Sequence, residues 1–103
     1  MESLSFLVVG KNTDILQTLQ RIIENNEGWK AEIMSDEMHC QAYLLEKPVD
    51  VLLLSSGLEA AFEKEMKIFA RSLEKRVEVI EHYGGGSGLL KSEVYTVFPE
   101  LSI

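Results

Sequence analysis

Four short apolar runs, separated by stretches whose apolar residues recur at helical spacing, constrain this chain more than any other feature. Leu4-Ser5-Phe6-Leu7-Val8-Val9, Trp29 to Met34, Val49 to Leu54 and Val77 to His82 have the length and residue types of strands. After the first run, Asn12-Thr13-Asp14 offers a helix cap, and Ile15, Leu16, Leu19, Ile22 and Ile23 follow at helical spacing. Gly28 is placed to stop that helix, because it tolerates a left-handed backbone. Ser35-Asp36 opens a second helix with Met38, Ala42 and Leu45 as its apolar stripe, ended by Pro48. Ser56-Gly57-Leu58-Glu59 fits the capping-box pattern ahead of Leu58, Ala61, Phe62, Met66, Phe69 and Leu73. Such alternation predicts parallel strands joined by right-handed crossovers, with helices on both faces of the sheet. The expected class is α/β in three layers.

The strands also differ in a way that orders them. Leu4 to Val9 and Val49 to Leu54 are nearly continuous apolar runs, as expected where both faces are covered. Trp29-Lys30-Ala31-Glu32-Ile33 and Val77-Glu78-Val79 alternate apolar with polar, as edge strands do. A parallel sheet in the order 2-1-3-4 satisfies both patterns. Beyond the glycine-rich turn Tyr83-Gly84-Gly85-Gly86-Ser87-Gly88, the residues from Ser87 to Phe98 read as a helix capped by Ser87 and stopped by Pro99. Val94-Tyr95-Thr96-Val97-Phe98 is β-prone enough to form a fifth strand instead.

Composition narrows the class of activity. The 103 residues allow one domain, spanning 1–103, and 46% hydrophobic with 26% charged residues is the balance of a folded globular protein. A formal charge of -7, with bases scattered among acids as in Glu63-Lys64-Glu65, argues against nucleic-acid binding. The apolar runs are too short to cross a bilayer. A single cysteine, Cys40, allows no internal disulfide, and with an acidic start this predicts a cytoplasmic protein.

The run Leu7-Val8-Val9 with its following helix, and Pro48-Val49-Asp50-Val51-Leu52-Leu53-Leu54-Ser55 in mid-chain, resemble the response-regulator receiver family over residues 4 to 82. That resemblance implies a flavodoxin-like fold. It also places the family's magnesium-binding acidic pair at Gly10 and Lys11, and its phospho-accepting aspartate at Ser55. The hydroxyl residue ending strand four falls on Glu81 or His82, and the lysine of strand five has no match beyond Phe98. A divalent ion of that kind needs carboxylate oxygens, and a serine cannot form an acyl phosphate. The resemblance therefore implies a pseudo-receiver without phosphotransfer, a regulatory interaction module rather than an enzyme. Its partner would be another protein or a second copy, met through the C-terminal segment or the edge strand.

The carboxyl edge of the sheet, where open α/β sheets bind ligands, offers other chemistries. Lys11, Asn12, Ser55, Ser56, His82, Gly84, Gly85, Gly86 and Ser87 gather there and could bind a small anion or phosphorylated metabolite through backbone amides. The same glycines and serines equally serve as turns and caps. Ser55 and His82 could form a nucleophile and base, but only Glu81 is near in sequence to orient the histidine, and strand alternation points it away. His39 and Cys40 diverge on a helix and make no metal site; Cys40 reads as a buried apolar residue. No cofactor or metal is expected.

Overall fold

The computed structural model describes residues 3–55, 57–82 and 87–99. The elements follow in the order β1 (Leu4–Val9), α1 (Thr13–Glu24), β2 (Trp29–Met34), α2 (Cys40–Glu46), β3 (Val51–Leu54), α3 (Ala60–Ser72), β4 (Glu78–Glu81) and α4 (Ser87–Val97), with a 3₁₀ turn at Glu37–His39 before α2. All strand pairs are parallel, and the sheet order is β2-β1-β3-β4. Phe6 stands between Ala31 and Val51, and Leu52 between Leu7 and Val79. The sequence order 2-1-3-4 is thus the order found, in a three-layer α/β domain of flavodoxin-like type.

Strand alternation divides the core in two. Phe6 and Val8 of β1, with Val51, Leu53 and Ile80, pack against α1 and α4. Leu7 and Val9, with Leu52 and Leu54, pack against α2 and α3. The handedness of the crossovers explains the split. The chain steps one way from β1 to β2 and the other way from β2 to β3 and β4, so right-handed connections put α1 on one face and α2 and α3 on the opposite one. β1 and β3 are covered on both faces, which is why their sequences do not alternate. β2 is at an edge, and Lys30 and Glu32 are exposed while Trp29 and Ala31 are buried. No helix among the described residues is long and apolar enough to cross a membrane.

The C-terminal segment is a helix, not a fifth strand. Leu90, Val94 and Phe98 recur at four-residue spacing and are buried against the α1 face of the sheet. Arg76, just before β4, ties down the far end of α4. Its Nη2 donates to the Val97 carbonyl at 2.5 Å, and its guanidinium lies 4.1 Å from the centre of the Phe98 ring.

Four local expectations are corrected. α1 ends at Glu24, where Asn26 bonds the Ile22 and Ile23 carbonyls; Gly28 is left-handed (φ 85°) but lies beyond, in the turn into β2. α2 buries Cys40 and Leu44, leaving Met38, Ala42 and Leu45 exposed, because the 3₁₀ turn resets the helical phase. α3 begins at Ala60 behind Glu59, which makes no side-chain cap bond, so the capping-box reading fails; Ser56 lies outside the described residues. β3 and β4 are shorter than their apolar runs. Before β3, Asp50 bridges to β1, its N–H donating to the Ser5 carbonyl and its carboxylate accepting the Ser5 N–H, both at 2.8 Å.

Candidate functional site

The carboxyl ends of β1 and β3 meet at Gly10 and Ser55. The Ser55 N–H donates to the Val9 carbonyl at 2.8 Å, and the Gly10 N–H donates to Met34 at 3.2 Å. A Cβ built at Gly10 would lie 3.0 Å from both Leu16 Cδ2 and Ser55 Cβ. Carbon atoms pack best at about 3.5–4.0 Å, so a side chain at this rim position would have to push Leu16 or Ser55 aside by a few tenths of an ångström. Ser55 is 2% exposed. Gly10, the first position of the acidic pair the resemblance implies, and Ser55, its phospho-acceptor position, are therefore tightly packed against each other.

Lys11 projects outward beside them, and its ammonium pairs with Glu37 at 3.3 Å. The second carboxylate oxygen of Glu37 is buried with no hydrogen-bond partner. A groove at the start of α1 is lined by Lys11, Asn12, Thr13, Asp14, Ile15 and Gly57. Within it, the Asn12 side chain accepts the Ile15 N–H at 3.1 Å, so the cap is filled by the protein itself. Asp14 adds a negative charge to the same first turn. Of the residues expected to cradle an anion, the structure thus gathers Lys11 and Asn12 along this groove, with Ser55 buried against Gly10 outside its lining. Ser87 opens α4, while Ser56, Gly84, Gly85 and Gly86 lie outside the described residues.

His82 follows β4 and is 4% exposed. Its N–H donates to the Leu54 carbonyl at 2.9 Å, and its Nδ1 lies 2.5 Å from Glu93 Oε1 on α4. Sequence reasoning missed Glu93. Its one signal was position, between Leu90 and Val94 on the face by which α4 docks. The β3–β4 register pairs Leu54 with Glu81, so Ser55 and His82 are the next neighbours along the two strands. A carboxylate on Nδ1 fixes the imidazole and leaves Nε2 as its remaining polar atom. No hydrogen bond joins His82 to Ser55 among the described residues. The arrangement supplies an oriented imidazole but no nucleophile in contact with it.

On the neighbouring turn, Asp36 accepts the Met38 N–H at 2.9 Å and lies 2.5 Å from His39 Nδ1. The Met38 amide and then the histidine hold its carboxyl below the ordinary aspartate range. Cys40, next in sequence, points into the core, where burial pushes its thiol up to about 11. Its sulfur sits 3.5 Å from that of Met34. His39 and Cys40 thus diverge, and no cluster of three or more His, Cys, Asp or Glu among the described residues could hold a metal ion. Compared with protein-family models and with curated proteins, the sequence matches none.

Proposed function

We propose that this chain is a non-catalytic, receiver-like interaction module that keeps a phosphotransfer frame without its chemistry and acts by docking another protein chain. The tight contact of Gly10 with Ser55 and Leu16 carries the reading. A receiver needs carboxylates at this rim to hold magnesium and an exposed aspartate to accept phosphate. Here the first position is a glycine whose Cβ would crowd Leu16 and Ser55 at 3.0 Å, the second is a buried serine, and the adjacent charge is an ammonium already paired with Glu37. With no phosphotransfer chemistry at the rim, recognition is assigned to the outer side of β4, which pairs only with β3 among the described residues, and to the C-terminal helix.

Incubation with acetyl phosphate and Mg²⁺, followed by intact-mass measurement, tests this. The mass is expected to stay unchanged. An added phosphate on Ser55, or on any other residue, overturns the reading.

A further inference from the structure

β4 closes the sheet, and among the described residues it pairs with β3 alone. The N–H groups of Glu78 and His82 donate inward, to the Asp50 and Leu54 carbonyls, each at 2.9 Å. Strand alternation then turns the N–H and C=O groups of Val79 and Glu81, and the carbonyl of Val77, away from β3 toward the outer edge. Above that edge α3 contributes Lys67 and Arg71 to a groove of about 240 Å³ floored by Val77, Glu78 and Val79. Lys67 is paired with Glu81 of its own chain. Arg71 is exposed and has no ion pair among the described residues.

We infer that this edge pairs antiparallel with β4 of a second copy of the chain, about a two-fold axis at Val79, to make one continuous eight-stranded sheet. The inference rests on the interaction-module reading and gives it a partner. Three observations select a second copy. The outward groups fall on alternate residues, so an axis at Val79 sets Val79 opposite itself and Val77 opposite Glu81 of the second copy, using all three. A two-fold axis normal to the sheet preserves its faces, so that Glu81 arrives on the α3 side, where Val77 and Arg71 line the same groove. Arg71 there meets the carboxylate it lacks, and each Glu81 lies between Lys67 of its own chain and Arg71 of the other. The half-buried Val77 and Val79 lose their remaining contact with water. The pairing is isologous, so it closes at two copies and leaves no new edge of β4 to propagate.

Sedimentation equilibrium from micromolar to millimolar protein reads the result. The mass is expected to rise to twice 11.6 kDa. Val79→Pro removes an N–H that β3 does not use, a substitution tolerated on edge strands, and is expected to return a folded monomer by circular dichroism and mass. Arg71→Glu, at an exposed position, is expected to do the same, and adding Glu81→Arg is expected to restore the dimer. If Val79→Pro does not fold, Arg71→Glu decides alone. A wild-type monomer throughout, or a dimer indifferent to Arg71→Glu, overturns the pairing and leaves the acetyl phosphate result untouched. Phosphorylation would instead overturn the underlying reading even with the dimer intact.

Discussion

Replacing Gly10 with alanine probes the crowded rim directly. The backbone there has no positive φ, so alanine suffers no conformational penalty and should gain about 0.4–1 kcal/mol by restricting the unfolded chain. Opposing that gain, the new methyl meets Leu16 Cδ2 and Ser55 Cβ at 3.0 Å. Leu16 is 2% exposed and has little room to turn, and Ser55 Cβ is fixed to the end of a central strand. Overpacking of this kind costs about 1–3 kcal/mol, so the net loss should be about 1–2 kcal/mol. For a domain of this size that lowers Tm by roughly 5–10 °C. Thermal unfolding of Gly10→Ala, Ser55→Gly and the double variant separates the contact from other effects. Removing the Ser55 Cβ frees the space, so the alanine should cost at least about 1 kcal/mol less in the Ser55→Gly background. A Gly10→Ala protein more stable than wild type, or one whose loss is the same in both backgrounds, refutes the crowded-rim argument and with it the main support for the proposed function.

The remaining predictions concern the body of the fold. Leu44→Ala should cost about 2–5 kcal/mol by urea denaturation, because Leu44 is fully buried. Leu45→Ala, one residue on but 63% exposed, should stay within about 0.5 kcal/mol; equal losses would refute the helical phase described for α2. Glu93→Ala strips the partner from Nδ1 of the buried His82 and should cost about 1–3 kcal/mol, with Glu93→Gln milder because it can still bond the ring. Cys40 should react with thiol reagents at pH 8 far more slowly in the native protein than in the unfolded chain. Because folding raises its pKa from 9.0 to about 11, the folded state keeps a proton that the unfolded chain gives up. Stability from this group is complete below pH 9 and is lost as pH rises to about 11, which denaturation at a series of alkaline pH values would show.

What the sequence revealed and what it concealed follow from the range of the interactions involved. β1 and β2 were legible to the residue, since burial on two faces or on one leaves a direct trace in the apolar pattern. Sheet order came from the same trace. α2 was misread because seven residues hold fewer than two full turns, so Met38, Ala42 and Leu45 compete as a stripe with Cys40 and Leu44, and only the 3₁₀ turn ahead of the helix decides between them. The end of α1 was set by Asn26 reaching back to two carbonyls, a local bond that the stronger-looking signal of Gly28 obscured. At the site, Gly10 was visible as a departure from the receiver pattern, but its reason, a packing contact with Leu16 and Ser55, depends on two other elements. The bond between His82 and Glu93 was unreadable for the same cause. It spans eleven positions and a change of layer, and no periodicity records it.

The position of Trp29 carries a practical consequence. The indole is 8% exposed, with the Phe6 ring 5.4 Å away on the neighbouring strand and the Tyr95 ring of α4 meeting it edge-on at 6.4 Å. It is the chain's single tryptophan, so emission excited at the red edge of absorption comes from one fluorophore, sandwiched between the strand that begins the fold and the segment that completes it. Departure of that last segment would wet the indole and shift its spectrum to longer wavelength while the rest of the sheet stayed intact, giving an optical signal for C-terminal detachment that needs no label.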